Sequence, residues 1–192
     1  MPPITLALIA ANAVVFLLQM GAPGLTETFA LWPLGAGFQP WQLLTYAFLH
    51  GGLVHIAFNM FALYMFGGPV ERVFGPRRYL TYYFVCVLSA AIVQLLTSSA
   101  TGTVYPTVGA SGGVFGLLLA YAIYFPHSRI ILLFPPIPMP ARVFVVVYAA
   151  LELFLGVTGT EEGVAHFAHL GGLVGGFIML RLWRSTPANW RR

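Results

Sequence analysis

Charge is what this chain has least of. Only 7% of its 192 residues are Asp, Glu, Lys or Arg, and every basic one is an arginine. A water-soluble domain of this size carries about a quarter charged residues, so there is too little polar material to cover a surface in water. The single Cys86 leaves no partner for an intrachain disulfide. The arginines form no cluster on a soluble face, which argues against a nucleic-acid partner. The N-terminus lacks the basic region that opens a signal peptide, so its apolar run reads as a retained helix.

What the chain has instead is apolar length. Hydrophobic residues make up 59% of it, in uncharged runs that approach the roughly 20 residues needed to cross a bilayer. Six spans are expected, over 4–20, 53–66, 79–96, 110–125, 143–157 and 164–183, separated by Gly/Pro punctuation such as "GAPG" and "FPPIPMPAR". The fold class is therefore an all-α integral membrane protein, one domain over 1–192, with no tandem repeat and no room for a soluble appendix. Arg72, Arg77, Arg78, Arg129, Arg142, Arg181, Arg184, Arg191 and Arg192 occupy alternate connections, whereas Glu27, Glu161 and Glu162 occupy the others. The positive-inside rule then puts both termini in the cytoplasm of a multi-pass membrane protein. The long aromatic stretch 25–50 falls outside, either lying in the interface on Trp32 and Trp41 or simply connecting two spans.

Polar residues inside lipid need a partner or a function. Counting along the helices from the cytoplasmic arginines at about 1.5 Å per residue puts Ser111, His55, Asn59 and His169 all in the outer half of the bilayer. His55 and Asn59 are four apart and share a helical face. Gly109, Gly112, Gly113 and Gly116 surround Ser111, and Gly172 and Gly176 stand three and seven residues beyond His169. Small residues let membrane helices approach closely, so packing of these two glycine faces would bring Ser111 to His169. Serine becomes nucleophilic only when a base takes its proton. His55, Asn59 and the Ser111 amide would then supply donors for an oxyanion.

Three stretches in this order, "HGGLVHIAFNM" (50–60), "GASGGVFG" (109–116) and "AHFAHLGGLVGG" (165–176), closely resemble the rhomboid intramembrane serine proteases. The resemblance covers nearly the whole chain and implies the minimal six-helix bacterial core in the inner membrane. It implies a two-residue catalytic dyad of nucleophile Ser111 and base His169, with no acidic third member. His55 and Asn59 match the oxyanion donors, Gly172 and Gly176 the close-packing glycines, and His50 a supporting histidine. "ERVFG" (71–75) resembles the acidic–basic turn after the second span, and the fifth span with the "GTEEG" loop would be gate and cap. The implied substrates are single-span membrane proteins, cleaved without cofactor or metal. Two positions depart from the family pattern. Phe115 stands where many bacterial members have tyrosine, so it can stack on His169 but not hydrogen-bond, and Gln42 stands where many have arginine.

Other chemistries fit less well. His50, His55, His166 and His169 suggest a metal site, but zinc proteases of the H-E-x-x-H type pair histidines with a glutamate, and none neighbours these in sequence. His166 is expected to pack or line a cavity. Glu152, alone in the fifth span, could signal proton-coupled transport, but without a repeat or broken helix it reads as a protonated, hydrogen-bonded acid near the gate. A non-catalytic relative that binds or escorts membrane proteins is the alternative function, although such relatives typically lose the serine or the histidine.

Overall fold

A computed structural model of the chain describes residues 1–22, 24–131, 136–159 and 164–185. The chain begins with α1 (Pro3–Gly21), followed by the short α2 (Gly24–Phe29) and α3 (Gln42–Thr45) of a folded connection. The helices α4 (Leu53–Ala62) and α5 (Gly68–Phe74) are joined by a π-helical turn, Leu63–Gly67, and α6 (Pro76–Thr101) follows directly. Next come α7 (Ser111–Tyr124), a β1–β2 hairpin (Arg129–Ile131 and Pro138–Pro140), α8 (Ala141–Thr158) and α9 (His166–Ser185). The Glu161–Glu162 part of the expected cap and the terminal Arg191 and Arg192 lie outside the described residues.

By length and composition, four helices can cross a membrane: Pro3–Gly21, Leu53–Phe74, Pro76–Thr101 and Ala141–Thr158. Their outer faces are apolar and uncovered, as at Leu17, Leu53 and Val157, which are 67%, 71% and 72% exposed. Side chains of this kind left bare on every outer helix suit lipid rather than water. The helix α7 is shorter, with 14 residues, or about 21 Å. It is also the most enclosed, with most of its side chains buried between α6, α9, α8 and the π-turn. The 20-residue α9 is interrupted by histidines and glycines, which lower its apolarity.

One expected boundary moves by about two turns. The second span was expected to stop at 66, before the punctuation "GGP", yet the helical run continues to Phe74. Pro69 sits in the first turn of α5, where its missing N–H is harmless, and the wider π-turn before it relieves the ring's clash with the preceding carbonyls. Glu71 in α5 then accepts bonds from the Ile4 and Thr5 N–H groups at 3.0 and 2.7 Å and from the Thr5 hydroxyl. These are orphan donors of the first turn of α1, so the acidic member of "ERVFG" fastens the first helix to the second. The connection between α7 and α8 is not wholly irregular either. It holds the small hairpin, a β element in a fold expected to be all-α.

The stretch 25–50 is tied internally. Gln42 Oε1 accepts from the Trp32 and Gln39 amides, and Gln42 Nε2 donates to the Thr28 carbonyl. A buried glutamine thus pins the connection where an arginine was the family expectation. Leu31 and Thr107 exchange both backbone bonds at 2.9 Å, and the Gly109 amide donates to the Tyr46 carbonyl at 3.0 Å. The segment leading into α7 is thereby anchored on both sides.

Candidate active site

Ser111 is the first residue of α7. Gly109, just before it, has φ +129°, a conformation that L side chains rarely adopt, and a Cβ there would sit 2.9 Å from the His55 ring. The glycine thus permits the turn and seats the histidine. Gly112 and Gly113 open the helix against α6, where a Cβ would meet Ala90 and the Tyr83 ring respectively. On the far side, a Cβ on Gly172 would strike the Gly112 carbonyl. The close approach of α7 and α9 rests on that pair. The glycine stripe of α9 does more than was expected of it, since Gly171, Gly175 and Gly176 pack on α6 against Ala90, Ser89 and Tyr82.

This approach leaves Ser111 Oγ 2.8 Å from His169 Nε2. The Phe115 ring, one turn along α7, stacks on the His169 imidazole with centroids 4.4 Å apart and planes within 6°. His169 Nδ1 is 2.9 Å from Glu152 Oε2, and the same oxygen is 2.6 Å from His166 Nδ1. Glu152 reaches the histidines from the middle of α8. Hence the sequence reading that no glutamate accompanies them fails in space. His166 is no mere packing residue, for it is buried on the same carboxylate. The signal that could have found Glu152 was its cost. An acid in the middle of an apolar helix must be partnered, and the histidine ring nitrogens of the last helix were the available donors.

His55 and Asn59 lie on one side of Ser111, facing the same cavity. The Gly51 amide donates to His55 Nδ1 at 3.2 Å, which leaves the ring proton on Nε2, the nitrogen turned toward Gly109. His55 is thus set as an N–H donor. Asn59 spends one amide hydrogen on the His55 carbonyl at 3.0 Å and keeps the other. The first turn of α7 adds backbone donors, because Val114 is the first residue of that turn to bond back, to Ala110. His50 is buried with its ring edge-on to His55 at 5.1 Å, and its backbone amide donates to Gln19 Oε1. It supports the floor rather than the pair.

The cavity holds about 1110 Å³ and runs between α4 and α8, from Leu53 and Phe58 to Phe144 and Tyr148, with Ser111 and His169 on its wall. It is large enough for an extended peptide segment. Chemically, a serine hydroxyl with an imidazole acceptor and facing N–H donors can perform acyl transfer.

A multi-helix membrane protein with a serine and a histidine hydrogen-bonded inside its bundle is the class these features define. The Rhomboid domain model matches residues 37–185, and the chain belongs to the rhomboid family. It is similar to Rhomboid protease GluP of Bacillus subtilis, 32% identical over 184 residues, which are 92% of this chain and 34% of that protein. It is also similar to Rhomboid protease GlpG of Pectobacterium atrosepticum, 28% identical over 181 residues, covering 92% of this chain and 61% of the relative. The mitochondrial presenilin-associated rhomboid-like protein of Mus musculus is 29% identical over 174 residues, 88% of this chain and 45% of its own length. The chain thus spans from about a third to under two thirds of these relatives.

Proposed function

We propose that this protein is an intramembrane serine endopeptidase that cleaves single-span membrane proteins, with Ser111 as nucleophile and His169 as general base. The observation that carries the reading is the 2.8 Å bond between Ser111 Oγ and His169 Nε2 beside a large cavity inside the helix bundle. His169 Nε2 takes the Ser111 proton as Oγ bonds to the scissile carbonyl carbon. The oxyanion is met by His55 Nε2–H, the free Asn59 amide hydrogen and the Ser111 N–H. The C–N bond then breaks, His169 returns the proton to the leaving amine, and water releases the acyl group by the same route. The helix N-terminus at Ser111 adds a favourable field for the negative charge.

The bundle of this reading has six spans, adding α7 and α9 to the four long apolar helices. A short α7 can serve as a span because it starts inside the bundle, where the folded segment before it covers its N-terminus. The single domain over 1–192 has both termini in the cytoplasm of a bacterial inner membrane, a placement supported by the arginine-bearing connections. The reading needs no metal or cofactor. Substrate enters between α4 and α8, along the line of the cavity.

The test is cleavage of a tagged single-span reporter by purified protein in proteoliposomes. Wild type should cleave it, and Ser111→Ala should fall by on the order of 10³-fold or more. Equal cleavage by both would sink the assignment. Absence of cleavage by wild type would favour a protein that binds or escorts membrane partners.

A further inference from the structure

The buried acid Glu152 has no task in a two-residue mechanism. It sits in the middle of α8, yet its Oε2 lies within hydrogen-bond reach of two imidazoles, at 2.6 Å from His166 Nδ1 and 2.9 Å from His169 Nδ1. The opposite nitrogen of His169 faces Ser111. One arrangement of protons that serves all three contacts also makes His169 a base. An ionised carboxylate oxygen accepts an N–H from each ring, so His169 carries its proton on Nδ1 and turns a bare Nε2 to the serine hydroxyl. That is the tautomer a general base must have.

We propose that Glu152 is the positioning residue of this site, completing a Ser111–His169–Glu152 line in which the carboxylate fixes the tautomer and plane of His169 and stabilises its imidazolium during acyl transfer. The inference rests on the reading of Ser111 as the nucleophile. Glu152 touches no reacting atom and is not protonated in the cycle; the only proton that moves passes between Ser111, His169 Nε2 and the leaving amine. His166 gives the second N–H, holding the carboxylate in place from within the first turn of the same helix as His169. Phe115 closes the flat face of the imidazole. The base is thus held on an edge and on a face. A shared metal ion is a poorer account, because donors on a tetrahedral zinc with bonds of about 2.0–2.1 Å stand about 3.3 Å apart, wider than both contacts here.

The experiment compares wild type, Glu152→Gln, Glu152→Asp and Ser111→Ala in proteoliposomes, reading kcat and KM for the single-span reporter and the rate at which a fluorophosphonate labels Ser111. Melting temperature is measured in parallel. Glutamine keeps the volume, but its amide N–H₂ can donate to Nδ1 and move the ring proton to Nε2, the wrong nitrogen. The expected result is a kcat and a labelling rate lower by about 10²- to 10⁴-fold in Glu152→Gln, at unchanged KM. Glu152→Asp should recover part of that loss because it restores the charge. Wild-type rates in Glu152→Gln would overturn the inference while leaving the protease reading intact. Should Glu152→Gln melt early, Glu152→Asp decides: partial recovery supports the assignment, and a loss as deep as glutamine's overturns it. Wild type that neither labels nor cleaves, or Ser111→Ala that cleaves, would instead remove the protease reading and the inference with it. Loss of activity on chelation, restored by zinc, would replace the positioning role with a metal site.

Discussion

Phe115 shows how much one ring can do without a polar atom. Its stack on His169 is nearly parallel, and it also leans on Tyr148 of the neighbouring α8. A tyrosine would keep both contacts and add only a hydroxyl, so Phe115→Tyr is expected to retain reporter cleavage within about threefold. Phe115→Ala removes the stack, an aromatic pair worth roughly 0.5–1.5 kcal/mol beyond its buried area. The expected outcome is about a tenfold fall in kcat together with a lower melting temperature, and an unchanged kcat would show that the stack does not hold the base. Gln42 makes a parallel point. The substitution that threatened a contact in the sequence instead supplies a carbonyl and an amide to four backbone groups of the connection. At this scale the sequence named the candidate residues and the pairing of His169 with Ser111 and Phe115, but not the partners of Glu152, His166 or Gln42, because hydrogen bonds between segments far apart in sequence leave no periodic trace.

Among the elements, α7 and α9 set the geometry of the candidate site. Their contact passes through Gly112 and Gly172, where there is no space for even a methyl group. Overfilling a packed contact costs typically 1–3 kcal/mol, and here the obstructing atom is a backbone carbonyl that cannot rotate away. Gly172→Val is therefore expected to lower the melting temperature in detergent and abolish reporter cleavage, since any widening separates Ser111 from His169. Wild-type stability and activity in this variant would refute the contact. The glycine pattern announced the close approach but not which neighbour each glycine meets, and α6 took three of them. The length of the second helix was hidden for a similar reason. "GGP" signals a break in most settings, and only the π-turn explains how the helix passes through it.

For the molecule as a whole, the distribution of arginine is the testable feature. A thiol introduced as Glu27→Cys is expected to react with a membrane-impermeant maleimide added outside intact cells, and Arg77→Cys only after the membrane is opened. The native Cys86 is fully buried and should stay silent. Labelling of Arg77→Cys in intact cells would invert the topology.

The sequence by itself determined that this is a helical membrane protein and roughly where its helices fall, the end of the second excepted, and it singled out the polar side chains of the candidate site. Those properties are written in composition and in spacing along one chain direction, and apolar helices in lipid follow from them almost directly. Tertiary structure alone decided the partners: that the mid-span acid of α8 meets two imidazoles of α9, that a glutamine rather than an arginine ties the first connection, and that α9 packs on α6 as well as α7. Rotation and tilt of each helix fix such meetings, and these are set by the packing of all the helices together, a property no single stretch of sequence carries.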